Sequence, residues 1–354
     1  MTEEYRAAGF KERVRYYAEI LNPLFDPTPH KTSDRFFEFV CVLVRPGGIH
    51  GPEWDPWYES QAILDDLGNL GTLELPQALF PDPGRTRVRL SLLSYCHLTE
   101  MNLPYALVAN LLRVRLGAKY DMSPFRDLYA PVGKKNPSPL QKMRPPSPGK
   151  KIGRIKRLAE EAKLAEVARA FESIYDKTIR NAVYHSDYTL SHGEFRLLDD
   201  FHLSKEKGYS SPVVEWKELS ELFTNTFAFY TALFSLYERC RRSFGDFADA
   251  FIPFDALKGI LQLVFDEDQR LAGFRVYWPN ESLSEYRRIE SVSEGVNLVF
   301  DPDGSINFMV GLYASKPGSF SPLVEHDCAP VYAEIPGTMI RPFWPEDLKI
   351  YKLP

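Results

Sequence analysis

The chain has 354 residues, 44% hydrophobic and 14% aromatic, which together indicate a folded protein of two or three domains. Its net charge of −5 argues against an indiscriminate nucleic-acid binder. The first residues lack the apolar core of a signal peptide, the most apolar predicted helix is too short to cross a bilayer, and the four cysteines show no metal-type spacing. We therefore expect a soluble cytoplasmic protein that uses no cofactor and no metal.

The first 85 residues carry helical patterns. Residues 1–22 place apolar side chains at three- and four-residue steps, which predicts a helix. A second helix is expected from Asp34, because a polar residue there precedes an apolar run that ends at Gly47-Gly48. Trp54–Leu67 is a third candidate helix. We interpret residues 1–85 as an N-terminal helical extension.

The middle of the chain, residues 86–243, has the pattern of a helical bundle. Two helices are expected within residues 86–116, with a break near Asn102-Leu103-Pro104. Two short alternating segments that flank His192-Gly193 predict a small hairpin over residues 188–197. The other helices predicted in this part are Ile155–Leu164, Leu164–His185 and Trp216–Arg242.

Beyond Phe244 the pattern changes to short alternating segments with tight turns, which predicts a domain over residues 244–354. Asp301-Pro302-Asp303-Gly304 is expected to form a hairpin turn. The predicted fold class is therefore α+β and mainly α: a helical bundle with an N-terminal helical extension and a small C-terminal antiparallel β-rich domain. The predicted strands are Ile260–Phe265, Phe274–Tyr277, Val296–Phe300 and Asn307–Gly311.

A basic stretch interrupts the middle domain. From Gly133 to Arg157 the chain has nine Lys or Arg residues, five prolines and no acidic residue, so we expect a Pro-rich loop over residues 131–152. Such a loop would contact a phosphate backbone, although a flexible solvated linker is an alternative interpretation. The candidate RNA-binding residues are Lys150, Lys151, Arg154 and Arg157.

One short segment carries residue types suited to catalysis. Residues 176–188 predict the end of a helix, and Arg180, Asn181 and His185 form a polar cluster on it. An arginine can hold a phosphate through its planar fork, and a histidine can transfer a proton near neutral pH. An asparagine one turn before the histidine can orient the ring or a substrate. Together these roles suit metal-free cleavage of RNA.

The spacing of Arg180 and His185 occurs elsewhere in the chain, but not on a predicted helix. Arg45 and His50 have the same separation, yet Pro-Gly-Gly between them excludes a helix interior. Arg196 and His202 have a similar separation, six residues instead of five, and fall in a segment that we interpret as strand and loop.

The segment around Arg180 resembles the motif of the HEPN superfamily (higher eukaryotes and prokaryotes nucleotide-binding), a group of helical-bundle domains. Many members are ribonucleases whose motif is Arg, four to six residues, then His, usually with a polar residue directly after the Arg. Residues 91–125 resemble the first helices of bacterial members, which often place an acidic residue facing the motif, and Glu100 is the matching position. The resemblance covers about residues 86–243.

The resemblance implies a HEPN-like bundle in which Arg180, Asn181, His185 and Glu100 form the catalytic site. It also implies a homodimer, because HEPN ribonucleases pair two motifs in one composite cleft. On a single helix, Arg180 and His185 are about 140° apart around the axis, which places them awkwardly on one phosphate, and the paired motifs implied by the resemblance resolve this.

The function implied is a metal-independent endoribonuclease that leaves a 2′,3′-cyclic phosphate and serves as a toxin or an anti-phage defence effector. RNA and a second copy of the chain are the expected partners, with a cognate inhibitor or regulatory protein as a further candidate and no membrane. Two alternatives are a non-catalytic HEPN-like module that binds RNA, a nucleotide or a protein, and a scaffold whose C-terminal domain performs recognition. In either case Arg180 would bridge Glu100 or Asp176, and His185 would cap the helix.

Overall fold

The computed structural model shows an α+β protein that is mainly helical, which confirms the predicted fold class. Helices make up most of the chain before residue 244, and antiparallel strands make up most of what is described after it. The structure describes residues 3–30, 32–46, 53–54, 56–72, 74–131, 143–191, 193–197, 213–248, 250–254, 259–277, 283–289, 292–295, 299–300, 306–307, 339–342 and 349–352.

Capping residues fix where several helices begin. The Thr32 side chain accepts the Arg35 N–H, and the Asp82 carboxylate accepts the Arg85 N–H at 3.0 Å. Pro83 follows Asp82 in the first helical turn, where its missing N–H costs nothing. The α-helices of the described residues are α1 (Glu3–Leu21), α2 (Ser33–Val44), α3 (Pro56–Thr72), α4 (Pro83–Glu100), α5 (Asn102–Arg115), α6 (Pro148–Glu161), α7 (Ala165–Ser173), α8 (Lys177–His185) and α9 (Trp216–Ser243).

One compact unit combines Met1–Leu21, Ser60–Tyr105 and Ala130–Phe234. Part of its core is aromatic: the Phe171 ring lies 4.7 Å from Phe229 and 5.5 Å from Tyr105, measured between ring centroids. A three-stranded antiparallel sheet and a short strand pair complete the unit. The three-stranded sheet has the order β4 (Tyr188–Ser191), β5 (Glu194–Leu197), β6 (Val213–Glu215). The strand pair is β2 (Ala130–Pro131) with β3 (Met143–Arg144).

A second unit combines Asn22–Glu59, Ala106–Tyr129 and Ser235–Pro354. Helix α2 packs on its sheet, where the rings of Phe37 and Phe274 meet edge to face at 5.1 Å. The sheet is antiparallel throughout and its strand order is β1 (Glu53–Trp54), β11 (Val292–Gly295), β10 (Leu283–Ile289), β9 (Leu271–Tyr277), β8 (Gly259–Phe265), β7 (Ala250–Phe254), β15 (Lys349–Lys352), β14 (Met339–Pro342). A separate pair is β12 (Val299–Phe300) with β13 (Ile306–Asn307).

The two units differ from the three consecutive domains that the sequence predicts, 1–85, 86–243 and 244–354. Each unit combines segments that are distant in sequence. The apolar face of α2 shows why: it buries Phe37 against the C-terminal sheet, so a helix predicted for the N-terminal extension belongs with the strands. Burial of apolar surface therefore groups the chain differently from its order along the sequence.

The helix predicted from Leu164 to His185 is two helices, α7 and α8. The break lies at residues 174–176, because the Asp176 carboxylate accepts the N–H groups of Thr178 and Ile179 at 2.8 and 3.0 Å and starts a new helix. The hairpin predicted after α8 is confirmed as β4 and β5, and β6 adds a third strand that was not predicted.

The basic stretch is partly helical. Residues 148–152, predicted as loop, form the first turn and a half of α6, which starts at Pro148. Residues 132–142 lie outside the described residues. The predicted strands Ile260–Phe265 and Phe274–Tyr277 are confirmed within β8 and β9. The predicted turn at residues 301–304 lies outside the described residues, but β12 and β13 on either side of it are paired.

Candidate active site

Helix α8 is held in the core by one apolar face. Ile179, Ala182 and Val183 are buried on that face, at the three- and four-residue steps that put side chains on one side of a helix. The opposite face is left for the polar side chains. The buried residues packed with this face are Leu92, Tyr95 and Cys96 of α4, Phe195 and Leu197 of β5, and Leu219 of α9.

Hydrogen bonds fix both ends of α8. At the start, the Tyr95 hydroxyl accepts the Asp176 N–H at 2.7 Å and donates to the Asp176 carbonyl at 3.3 Å. At the end, Ser186 adopts the left-handed conformation with φ 58°, and the Asp187 N–H donates to the Ala182 carbonyl at 2.9 Å. His185 therefore occupies the last helical position, just before the chain turns into β4.

Arg180 forms an ion pair with Glu100, the last residue of α4. Its Nε donates to Glu100 Oε1 at 2.7 Å, and its Nη2 donates to the same oxygen. Its Nη1 donates to Asn181 Oδ1 at 2.9 Å. A guanidinium has five N–H donors, so two remain for another acceptor after these three bonds. The Arg180 and Glu100 side chains are 24% and 31% exposed, so the pair can be reached from solvent.

Tyr184 covers one face of the Arg180 guanidinium. The guanidinium carbon lies 4.5 Å from the centroid of the Tyr184 ring, which is the geometry of a cation–π contact. Partial burial raises the pKa of the Tyr184 hydroxyl, and the Glu100 carboxylate raises it further. Sequence reasoning did not select Tyr184, although a four-residue helical spacing from Arg180 was a usable signal.

His185 is exposed at the end of α8. Within the described part of the chain, no residue forms a hydrogen bond or an ion pair with its imidazole. The structure thus brings Arg180, Asn181 and Glu100 together in one hydrogen-bonded group and leaves His185 outside it. An exposed imidazole is accessible to a substrate from solvent.

Cys96 lies beside the motif as well. Its thiol sulfur is 3.9 Å from the Arg180 carbonyl oxygen, and burial raises the pKa of this thiol to about 11. The thiolate is the nucleophilic form of cysteine, and it is scarce at neutral pH when the pKa is raised this far. Cys96 therefore contributes packing to the α4–α8 contact.

The four residues predicted to bind RNA all lie on α6, but they do not share one environment. Lys150 and Arg157 are exposed, and Arg154 is half-buried. Lys151 is only 4% exposed; its ammonium donates to Asn102 Oδ1 and lies 5.3 Å from the Tyr105 ring centroid. Lys151 cannot contact a polymer from solvent, so it drops out of the predicted RNA-binding set.

The other two occurrences of the Arg–His spacing are not helical, as expected. Arg45 follows the end of α2 in a left-handed conformation with φ 54°, and Arg196 lies in strand β5. Their partners, His50 and His202, lie outside the described residues.

No protein-family model, curated protein or solved structure matches the chain. The HEPN resemblance therefore depends on the motif and its neighbours. In the described part of the chain, no helix is both long and apolar enough to cross a bilayer.

Proposed function

We propose that this chain is a metal-independent endoribonuclease of the HEPN type. The observation that carries the proposal is the arrangement on α8: Arg180 is held at the surface by Glu100 and Asn181, and His185 is exposed five residues later. Structural arginine pairs are common in helical bundles. The exposed imidazole of His185 is a second polar group on the same short helix, and its presence favours a reactive site.

These residue types suit a reaction in which RNA supplies its own nucleophile. His185 takes the proton from the ribose 2′-hydroxyl, and the 2′-oxygen attacks phosphorus. The bond from phosphorus to the 5′-oxygen breaks, and that oxygen leaves with a proton from a second histidine. Arg180 stabilises the charge that develops on the phosphoryl oxygens. The products are a 2′,3′-cyclic phosphate and a free 5′-hydroxyl.

The second histidine requires a second copy of the chain. One imidazole cannot act as base and acid on opposite sides of the same phosphorus within one step. A two-fold axis close to α8 supplies two copies of His185 and Arg180 to one cleft, and two-fold dimers are the commonest oligomers. We assign Asn181 to orienting the phosphate or the imidazole, and Glu100 to holding Arg180.

The HEPN resemblance also supports a cytoplasmic role as a toxin or an anti-phage effector. An activity of that kind would have to be restrained, which makes a cognate inhibitor or regulatory protein a further partner to look for. This part of the proposal depends on the resemblance alone.

A non-catalytic HEPN-like module is the second candidate, and one observation favours it. Three N–H groups of Arg180 are already bonded to Glu100 and Asn181, which is how an arginine behaves when it only joins two helices. Such a module would bind RNA, a nucleotide or a protein without cleaving it.

Analysis of the product ends separates the two candidates. Purified protein should cleave a defined RNA in excess EDTA and leave 2′,3′-cyclic phosphate ends. A matched substrate with 2′-deoxyribose at the cleaved position should remain intact, because its nucleophile is missing. RNA that binds but stays intact would favour the non-catalytic module, and cleavage that needs added Mg²⁺ would contradict the proposed mechanism.

A further inference from the structure

Lys151 is a buried lysine beside the candidate active site. It lies in the first turns of α6 with 4% of its surface exposed, while its neighbour Lys150 is exposed. Burying an ammonium group is costly unless hydrogen bonds or an opposite charge compensate for it. The ammonium has one such hydrogen bond, to Asn102 Oδ1, and it faces the ring of Tyr105 at 5.3 Å.

Lys151 is joined to the segment of chain that carries Glu100. Burial lowers the pKa of the Lys151 ammonium, and the Glu100 carboxylate acts against this shift. Asn102, which accepts the hydrogen bond from Lys151, lies two residues after Glu100 in sequence. Glu100 thus accepts hydrogen bonds from Arg180 of α8, and the chain two residues after it is held by Lys151 of α6.

Tyr175 holds the start of α6 at this position. Its ring lies so close to Gly149 that a Cβ on that glycine would be 3.4 Å from Tyr175 Cε1. Tyr175 directly precedes Asp176, the residue that caps α8. Tyr175 therefore links the start of α6 to the start of α8.

We infer that Lys151 is a positioning residue: through its hydrogen bond to Asn102 it holds the end of α4, so that Glu100 presents Arg180 to the phosphate. This inference rests on the proposed function. It assigns Lys151 a role different from RNA contact, since a lysine that binds RNA must be exposed. It also explains why a charged residue occupies a buried position among Ile152, Ile155 and Ala159 on the inner face of α6.

The test compares Lys151→Met with Lys150→Met, two adjacent lysines on the same helix. Loss of a positioning residue should lower kcat, on the order of 100-fold, which is the cost of misplacing a catalytic group by about 1 Å. The KM of Lys151→Met and the dependence of its RNA binding on salt should stay near the wild-type values. Lys150→Met should instead raise KM and weaken the salt dependence with kcat retained. If Lys151→Met behaves like Lys150→Met, the inference is wrong.

A double-variant comparison shows whether Lys151 acts through Glu100. If it does, Lys151→Met combined with Glu100→Gln should lower kcat no more than the worse single variant. Independent, multiplicative losses would overturn the inference.

A second readout does not need activity. Unfolding by urea of the same four proteins should give non-additive changes in the free energy of unfolding, because Lys151 and Glu100 both hold the same end of α4. If the wild type does not cleave RNA at all, the proposed function fails, while this coupling still decides whether Lys151 and Glu100 act together. Additive changes in the free energy of unfolding would overturn the proposed coupling between Lys151 and Glu100. Lys151→Gln serves as a second variant if Lys151→Met does not fold.

Discussion

Arg180 and Glu100 lie on different helices, 80 residues apart in sequence, and a hydrogen bond of 2.7 Å joins Arg180 Nε to Glu100 Oε1. The pair connects the last residue of α4 to the middle of α8. It fixes the direction of the guanidinium without burying it, since the Arg180 and Glu100 side chains are 24% and 31% exposed. A catalytic arginine and a purely structural arginine would both form an ion pair of this kind with a glutamate. The free energy of unfolding and the rate of RNA cleavage must therefore be measured on the same variants.

Substitution of Arg180 should affect both quantities. Arg180→Ala removes the group proposed to stabilise the phosphoryl charge, so cleavage should be abolished. It also leaves Glu100 without its arginine, which should lower the free energy of unfolding by about 1 kcal/mol, as expected for a partly exposed ion pair. Cleavage assays and urea unfolding of the same preparation check both effects. An Arg180→Ala variant that still cleaves RNA would exclude a catalytic role for this residue.

The three basic residues of α6 that are exposed or half-buried should contribute affinity without sequence specificity. Lys150, Arg154 and Arg157 are four and three residues apart, so they lie on one face of the helix. Changing all three to Gln should weaken RNA binding and reduce the slope of log K against log salt by about 3, because each lost phosphate contact releases about one counterion fewer. Filter binding at several salt concentrations measures this slope.

Lys156→Gln is the matched control for that experiment. Lys156 lies on the same helix, but its ammonium is 2.9 Å from the Glu172 carboxylate, so it should contribute little to RNA binding. An unchanged slope in the triple variant would mean that this face of α6 does not bind RNA.

Activity should require two intact copies of His185 in one dimer. Leu93 of α4 and Tyr184 of α8 are 61% and 51% exposed, so these two packed helices carry apolar surface that a second copy could cover. After subunit exchange in a 1:1 mixture of wild type and His185→Ala, about a quarter of the dimers should contain two intact histidines. Activity should therefore fall below the half expected from dilution. A linear dependence on the wild-type fraction would rule out the composite site.

His30 should make the protein less stable in acid. It is buried against the Phe39 ring, and burial, with smaller effects from Arg115 and Arg35, lowers the pKa of His30 from 6.5 to about 4. The folded state then binds fewer protons than the unfolded state between these pH values. The His30 contribution is fully present above pH 6.5 and decreases as the pH falls toward 4, with a total on the order of 3 kcal/mol.

Urea unfolding at several pH values, with His30→Gln for comparison, measures this contribution. Other groups titrate in the same range, so the informative quantity is the difference between the two proteins. The free energy of unfolding of wild type should fall more steeply with decreasing pH than that of the variant. Parallel curves would contradict the assignment to His30.

Short-range patterns in the sequence predicted several local elements around the site. Features that depend on contacts between residues distant in sequence were missed. The hairpin after α8 was predicted from alternation around Gly193, whereas Glu100 was selected only through the HEPN resemblance, as the acidic residue facing the motif. The burial of Lys151 was missed because residues 148–152 were interpreted as loop. Ser147 before Pro148 is a usable helix-start signal, and helical spacing then puts Lys151 on the same face as Ile155.

The grouping of the chain into two units could not be predicted from local patterns. Phe37 packs on Phe274, more than two hundred residues later, and no short-range signal encodes that contact. The strand Leu283–Ile289 was also missed, because its central residues Glu285, Arg287 and Arg288 are charged. Arg288 is nevertheless buried, and its Nε donates to the Val44 carbonyl at 3.0 Å. Pairing across the sheet therefore outweighed the weak apolar pattern of this strand.

The most direct measurement of the central claim is the single-turnover rate of RNA cleavage in EDTA for wild type, His185→Ala and His97→Ala. Both histidines are exposed, and they lie on the packed helices α8 and α4, so neither substitution should disturb the fold. We predict that His185→Ala lowers the rate by about 10²–10⁴-fold, the usual contribution of general acid–base catalysis, and that His97→Ala has the wild-type rate. Cleavage by His185→Ala at the wild-type rate would contradict the assignment of catalysis to Arg180 and His185.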